Sequence, residues 1–323
     1  ALPGYQRMSY DNRTFGKCLN YEACNNDTHC KEGHDGELCS QCMPKWSSLS
    51  RKAPCGRCED SARAATAFVF AILFAVAVFA FLVWDNLQGA RDMMPKPDGT
   101  EATSTTMPFH CIAIRIVSSF LQVSGTLLRF DLTLPKSVET LITFESGASS
   151  LGERLLMFEC LTEMRSDYYL FVMRQVAMIW LIPLASIVCC SLFWLVIFRK
   201  KWSLDGFTAS LMVLFYSLFP SIVTRVALAS SCSLFGSKLL LSEALSVTCW
   251  SERHWVVILT VGLPGLVFVL FIPIALARLL THQRLAKRLY YHQSKYEPKW
   301  TLRYGFIFAG YRIGYEWWES VIM

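Results

Sequence analysis

Closely spaced cysteines are the residues of this chain whose type and position could do chemistry. Four of them follow the spacing Cys39-x2-Cys42-x12-Cys55-x2-Cys58. Four thiolates at this spacing can hold a tetrahedral zinc ion. The same residues can instead form disulfides, which small secreted domains need because their cores are too small. The complete N-terminal set is Cys18, Cys24, Cys30, Cys39, Cys42, Cys55 and Cys58.

Two N-glycosylation sequons favour the disulfide interpretation. Asn12-Arg13-Thr14 and Asn26-Asp27-Thr28 lie just before or among the cysteines. A sequon is used only in the secretory lumen, which is also where disulfides persist. We therefore predict a glycosylated, disulfide-rich extracellular head over residues 1–63, with zinc as the alternative. Because the number of cysteines is odd, one is expected to be free or to pair upstream, and the spacing does not define the pairing.

The residues that follow the head predict a membrane domain over 64–323. Residues 64–84 form a 21-residue run without a charge, the length that a helix needs to cross the hydrocarbon core. The chain is 53% hydrophobic and only 17% charged, whereas soluble domains have about 25% charged residues. We predict an all-α polytopic bundle of about six transmembrane helices, the last one truncated, over 64–84, 109–130, 175–198, 207–229, 255–280 and 305–323.

The orientation of the bundle depends on the segment 109–130, which polar residues interrupt. Taken alone, this segment could be an amphipathic helix on the membrane surface. If it crosses, the basic loops 199–206 and 281–304 both lie in the cytoplasm, as the positive-inside rule requires. We therefore predict a crossing helix, an extracellular head and an extracellular acidic loop over 131–168.

Charged residues inside the predicted spans are the candidate functional residues, because such charges are costly and usually have a partner or a wet cavity. Arg225 near an outer end could instead extend to the interface or pair structurally. The prolines of the spans indicate either kinks or cavity-lining breaks. The intramembrane candidates are Arg115, Arg129, Arg174, Arg225 and Glu319.

Three further cysteines lie in predicted outer loops. Cys232 and Cys249 share one loop and are expected to pair, although Cys160 competes for a partner. Cys189 and Cys190 lie within a predicted span and are interpreted as apolar fillers.

The sequence gives little support to an enzyme or a nucleic-acid-binding protein. It has no HExxH motif, no G-x-S-x-G motif and no phosphate-binding loop, and His110 and His254 each stand alone. The net charge of +6 comes from basic residues at the ends of apolar segments. We expect no catalytic residue, no metal and no other cofactor. No signal peptide is visible at Ala1, and the chain stops at Met323 within an apolar run, so we expect a longer natural protein.

Several short motifs carry a resemblance to known proteins. The run Gly33-x-x-Gly36-x-Leu38-Cys39-x-x-Cys42 resembles the turns of laminin-type EGF and TNF-receptor-like modules. The order of elements resembles TRP-like and polycystin-like multipass membrane proteins of algae and protists, which often carry EGF- or GCC-type cysteine repeats. The motifs behind this second resemblance are Phe120-Leu121-Gln122, Glu159-Cys160, Leu214-Phe215-Tyr216-Ser217-Leu218-Phe219-Pro220-Ser221, Cys249-x4-His254 and Gly310-Tyr311-x5-Trp317-Trp318-Glu319.

The resemblance implies a TRP-like channel or sensor subunit in the plasma or ciliary membrane. The alternatives are a membrane anchor or scaffold that holds an extracellular assembly, and a transporter of lipid or a small solute. The head either binds a ligand or serves as a spacer or lid. The expected partners are the lipid bilayer, an extracellular protein or glycoprotein, and other subunits in a homo- or hetero-oligomer.

Overall fold

The structure, a computed structural model, describes residues 4–8, 11–18, 20–26, 29–47, 54–58, 61–94, 108–127, 167–197, 204–235, 237–290 and 292–318. The chain divides into two compact units. The first unit comprises Ala1–Ile72, Leu151–Ile179 and Arg225–Pro264. The second unit comprises Leu73–Ser150, Trp180–Thr224 and Gly265–Met323. Each unit has its own clusters of buried apolar side chains.

Apolar helices confirm the prediction of a membrane protein. Among the described residues, four helical stretches are long and apolar enough to cross a bilayer. Their mean hydropathy ranges from 1.7 to 2.6, and each has at least the roughly 20 residues that a crossing needs. The predicted count of six spans is not confirmed. The four stretches are Ile72–Asp92, Phe171–Val196, Leu204–Ala229 and Glu252–Leu285.

The first helix, α1, is longer than the sequence predicts. It runs over Ser61–Asp92, whereas the apolar run suggests 64–84 followed by a loop. The charges of Asp85 and Arg91 end the apolar run, but they do not end the helix. A helix keeps its backbone hydrogen bonds beyond the point where its side chains become polar. Residues 85–92 are therefore helical.

Helix α2 covers Phe109–Leu127 and is interrupted by polar residues, as expected. Its apolar part, Phe109–Phe120, is shorter than the length that a crossing needs. The crossing of this segment therefore remains a prediction, based on the charges of the loops.

Two of the long helices contain a turn of π-helix just before a proline. Helix α3 (Asp167–Val176) leads through the π-turn Ala177–Leu181 into α4 (Ile182–Ile197), where Pro183 is the second residue. Because proline has no N–H and crowds the preceding turn, the helix widens there. At Pro183, where the sequence predicts a kink, the helix thus contains a π-turn just before the proline.

The same arrangement recurs near the predicted span 255–280. Helix α6 (Glu252–Val257) leads through the π-turn Ile258–Gly262 into α7 (Leu263–Leu285), where Pro264 is the second residue. Helix α5 covers Leu204–Ala229 and holds Pro220 inside its α-helical run. Pro273 likewise lies inside α7.

The last described helix, α8, is short and does not provide the sixth span. It covers Pro298–Phe308, only 11 residues, and turns follow it. Gly310 and Gly314 have φ values of 101° and 105°, in the left-handed region that favours glycine. The start of the apolar aromatic run that suggested a helix over 305–323 therefore belongs to α8, residues 309–317 form turns and irregular backbone, and residues 319–323 lie outside the described part.

The head consists of short antiparallel hairpins. Strand β1 (Tyr5–Met8) pairs with β2 (Asp11–Lys17). The other pairs are β3 (Cys24–Asn26) with β4 (His29–Cys30), β5 (His34–Asp35) with β6 (Gln41–Cys42), and β7 (Trp46–Ser47) with β8 (Gly56–Arg57). Two-stranded hairpins this short are not stable by themselves, so cross-links must hold them.

Disulfides supply those cross-links and confirm the disulfide interpretation of the head. The bridges are Cys18–Cys24, Cys30–Cys39 and Cys42–Cys55. Cys58 is also disulfide-bonded, so none of the seven head cysteines is a free thiol. The four cysteines of the alternative zinc site, Cys39, Cys42, Cys55 and Cys58, are all in disulfides and therefore do not offer thiolates to a zinc ion.

The loop between α5 and α6 folds into a three-stranded antiparallel sheet. Its strands are β9 (Cys232–Phe235), β10 (Lys238–Leu241) and β11 (Ala244–Thr248), with β10 in the centre. The bridge Cys232–Cys249 joins the first strand to the residue after the last. We call these three strands the loop sheet.

Candidate functional site

An apolar contact between the head and the loop sheet is the main functional feature of the first unit. Met8 and Leu38 of the head form one buried cluster with Leu240 and Leu245 of the sheet, and each is at most 4% exposed. Phe235 packs against this cluster. Burying such side chains stabilises a contact by about 1.5–3 kcal/mol each. The head is therefore packed onto the loop sheet.

The other face of the loop sheet packs against helical segments of the same unit. Leu241 and Val247 of the sheet are buried with Phe171 from α3 and Val257 from α6. Ala229, the last residue of α5, belongs to the same cluster. The loop sheet therefore has apolar contacts with the head and with the ends of three helices.

His254 fixes the chain where the loop sheet meets α6. It is fully buried, and its Nδ1 accepts a hydrogen bond from the N–H of Trp250 at 2.9 Å. Its Nε2 lies 3.1 Å from the carbonyl of Ala229 and therefore carries the proton. The nearby sulfurs of Cys232 and Cys249 are bonded to each other, so these three residues do not form a metal site. The structural role expected for His254 fits these contacts.

Arg115 is the central charged residue of the second unit. It lies in α2 and is only 6% exposed. Its Nη1 donates to the carbonyls of Phe306 at 2.7 Å and Ala309 at 3.2 Å, and its guanidinium lies 5.1 Å from the ring centre of Tyr311. Those carbonyls belong to the last turn of α8 and its end, where the helix dipole is negative. The arginine thus holds α2 against the end of α8.

Asp85, His110 and Cys111 lie close to Arg115 and join α1 to α2. His110 Nε2 lies 3.4 Å from Asp85 Oδ1, and the Cys111 thiol donates to the Asp85 carbonyl at 3.7 Å. His110 is therefore not isolated, and the expectation from the sequence that it stands alone is wrong. No local sequence pattern reveals this pair, because the contact depends on how α1 and α2 meet.

A small cavity lies beside Asp85, Cys111 and Arg115. It has a volume of about 10 Å³, which is room for about one water molecule. Its volume is far too small for an ion path. Its lining includes Asp85, Asn86, Cys111, Arg115, Tyr216 and Ser217. Tyr216 also forms a hydrogen bond with Ser119 of α2.

Glu316 is a second buried charged residue of this unit, and the sequence does not predict it. Glu316 is fully buried, and its Oε1 accepts hydrogen bonds from the Tyr290 hydroxyl at 2.9 Å and from the N–H of Gly314 at 2.8 Å. The Arg284 Nε lies 3.6 Å from Oε2. Burial raises the pKa of Tyr290, and its hydrogen bond to Glu316 raises it further. The sequence indicates Glu319 instead, which lies outside the described residues.

The other predicted residues are spread over both units. Arg225, in α5, is buried. Its guanidinium interacts electrostatically with the carboxylate of Glu243, in the turn before β11. Arg174 lies partly buried in α3. The backbones of Asn12 and Asn26 lie in β2 and β3. Arg129 and Cys160 lie outside the described part of the chain. Of the charged candidates among the described residues, Arg174 and Arg225 belong to the first unit and Arg115 belongs to the second.

Comparisons with known proteins give no relative for this arrangement. No family model matches the chain, and neither do any of the curated proteins or solved structures compared with it. The class of protein follows from the fold alone: a membrane protein with several apolar spans and a disulfide-bridged N-terminal head.

Proposed function

We propose that the protein is a TRP-like channel or sensor subunit whose bridged head receives an extracellular stimulus. The observation that supports this proposal best is the buried cluster of Met8, Leu38, Leu240 and Leu245. An anchor that only holds an extracellular assembly needs a tether, whereas a sensor needs its receiving module in firm contact with the membrane helices. The TRP-like class itself is proposed from the sequence motifs.

The proposed path runs from the head to the helix ends in two contacts. A ligand or a load on the head displaces Leu38, which presses on Leu240 and Leu245. The loop sheet continues covalently into α5 and α6, and its other face packs on Phe171 of α3. Because packed cores deform little, a displacement of the sheet shifts these helix ends. The two π-turns, Ala177–Leu181 and Ile258–Gly262, allow two of the helices to change their local backbone conformation.

The proposed ion path lies between subunits. The cavity around Arg115 admits about one water molecule and is therefore too narrow for an ion. Only 17–33% of the residues in the four spanning windows are buried within the chain. The remaining apolar surface is available for lipid and for other subunits, which supports an oligomeric channel.

The proposed location is the plasma or ciliary membrane, with the head outside and the basic loops 199–206 and 281–304 in the cytoplasm. This orientation rests on the two sequons and on the positive-inside rule. It predicts that glycosidase treatment lowers the apparent mass of the native protein, and that Thr14→Ala together with Thr28→Ala removes the difference.

Ion flux in proteoliposomes tests the function directly. We expect the purified oligomer to pass cations, and Leu245→Asp to change the response to a ligand or force on the head because a charge disrupts the cluster. Leu234→Asp is the matched control, since Leu234 is 70% exposed in the neighbouring strand β9. Absence of flux from the chain, alone and with its native partners, would refute the channel proposal and favour the anchor.

A further inference from the structure

We propose that Asp85, His110 and Cys111 form a binding site for a divalent transition-metal ion, and that zinc is the ion their chemistry fits best. The proposal goes beyond the function given above and does not depend on it. It also reverses the expectation from the sequence that the chain has no metal site.

The distances between the three side chains are close to those of a metal site. One ligand atom from each residue lies within 4.8 Å of the others. The His110 Nε2 and Asp85 Oδ1 are 3.4 Å apart. Tetrahedral zinc with N and O ligands at about 2.0 Å places those atoms about 3.3 Å apart. The imidazole and carboxylate are therefore already at the spacing of two zinc ligands.

Cys111 needs only a small movement to complete the set. Sulfur ligands lie about 2.3 Å from zinc, so the sulfur should approach the other two ligand atoms to roughly 3.5 Å. The starting spacing is at most 4.8 Å, which leaves a shift of about 1 Å. The His110 side chain is 62% exposed and free to rotate, whereas Asp85 is 10% exposed at its side chain and stays in place.

An unsatisfied polar atom beside the three residues indicates room for a ligand. Asn86 is 3% exposed, and its Oδ1 has no hydrogen-bond partner among the described residues. It lines the same cavity of about 10 Å³ as Asp85 and Cys111. A buried amide oxygen without a donor is costly. A water molecule on the fourth position of the metal would supply that donor.

The set of donor atoms selects the kind of ion. One sulfur, one imidazole nitrogen and one carboxylate oxygen suit zinc and related d-block ions, whereas magnesium and calcium require oxygen ligands. Cys111 is a free thiol, in contrast to the cysteines of the head and the loop sheet. The predicted orientation places it at the cytoplasmic side, where the reducing environment keeps thiols available to metals.

A bound ion would cross-link two helices of the second unit. Asp85 belongs to α1, and the other two ligands belong to the first turn of α2. The ion would thus fix the two ends of the connection between these helices. Three protein ligands and one water make an open site, which exchanges its ion more readily than a four-ligand structural site.

Cobalt titration of the full chain in nanodiscs tests the proposal. Co²⁺ replaces zinc and gives a thiolate charge-transfer band when sulfur binds it. We expect one equivalent of Co²⁺ with this band, displaced by Zn²⁺ and unaffected by Mg²⁺. Cys111→Ser should abolish the band, and Asp85→Asn or His110→Gln should weaken binding by about 10- to 100-fold. Cys190→Ser is the matched control, because Cys190 is a buried free thiol elsewhere.

Thiol protection in the unmodified chain gives a second measurement that needs no variant. Maleimide labelling followed by peptide mapping should show that Zn²⁺ slows the reaction of Cys111 and leaves that of Cys189 unchanged. The proposal is overturned if Zn²⁺ does not protect Cys111. It is also overturned if the cobalt band survives in folded Cys111→Ser or disappears in Cys190→Ser.

Discussion

At the scale of residues, Arg115 shows how a charge is held inside the second unit. Its guanidinium meets two carbonyls at the C-terminal end of α8 and the face of Tyr311. Arginine suits this place because it remains charged and offers several donors in a fixed geometry. These contacts show that Arg115 connects α2 to the end of α8. The cavity beside it holds about one water molecule and is too small for an ion path.

Replacing Arg115 should therefore affect stability strongly. We expect Arg115→Leu to lower the free energy of unfolding by about 3 kcal/mol, because two buried carbonyls lose their donor. The loss of unfolding free energy for Arg115→Lys should be smaller than for Arg115→Leu, since lysine keeps the positive charge but lacks the planar guanidinium with its several donors. Thermal unfolding in detergent measures the effect. Arg278→Leu is the control at an exposed arginine of α7, and an equal loss in both variants would contradict the assignment.

The Tyr290–Glu316 pair gives a prediction about pH. Burial and the hydrogen bond to Glu316 raise the pKa of Tyr290 in the folded protein. The neutral phenol therefore stabilises the folded state fully below the unfolded pKa of about 10, and this contribution is lost as the pH rises through the folded pKa.

Ultraviolet titration of phenolate absorbance checks this effect. At a pH of about 10 to 11, the folded wild type and Tyr290→Phe should show equal phenolate absorbance, because Tyr290 stays neutral. After unfolding, the wild type should gain one additional phenolate. Tyr315→Phe is the matched control, at a tyrosine that is 55% exposed. Excess phenolate from Tyr290 in the folded protein would contradict its buried hydrogen bond.

The sequence predicts individual buried charges unevenly. Arg115 is visible because it interrupts an apolar segment. Glu316 is not, because Glu316 and Glu319 lie in the same aromatic run and the run has no period that says which carboxylate turns inward. The pairing of Asp85 with His110 depends on how α1 and α2 meet, and no local pattern records such a contact between distant residues.

At the scale of elements, the loop sheet is held by its disulfide as well as by its contacts. The bridge Cys232–Cys249 closes a loop with a sequence separation of 17 residues. Closing a loop of this size stabilises the folded state by about 3 kcal/mol in the chain-entropy model. The bridge adds to the two apolar clusters that pack the sheet against the head and against helices of the same unit.

Removing this bridge should loosen the sheet and the head together. We expect the double variant Cys232→Ser, Cys249→Ser to lose about 3 kcal/mol of unfolding free energy and to become sensitive to protease between α5 and α6. Limited proteolysis with mass spectrometry locates the cut. Cys189→Ser, at an exposed free cysteine, should leave the pattern unchanged. Resistance of the double variant would show that the apolar contacts alone keep the sheet ordered.

The helices show which element properties a sequence predicts well. Length and hydropathy indicate the long spans, since both follow from the thickness of the bilayer. The ends of the helices are harder to predict. Helix α1 continues to Asp92, because charged side chains do not end a helix. The π-turns before Pro183 and Pro264 also lie beyond prediction, because a proline is equally compatible with an α-helical run, as at Pro220.

At the scale of the whole molecule, the head and the loop sheet form one packed body. The sequence alone leaves the head as either a receptor or a spacer, because Leu38 and Leu245 are ordinary apolar residues more than two hundred positions apart. Only the fold brings them together, in one cluster with Met8 and Leu240.

Hydrogen exchange of the full chain measures this contact most directly. Leu245→Ala should leave a cavity in the cluster and cost about 2–5 kcal/mol. If the head and the loop sheet form one packed body, Leu245→Ala should give faster amide exchange both in β10 and in the head strand β1. Leu234→Ala, at a 70% exposed residue, should leave the exchange of both strands unchanged. Faster exchange in β10 with the head unaffected would contradict this packing, because the head would then be a spacer independent of the sheet.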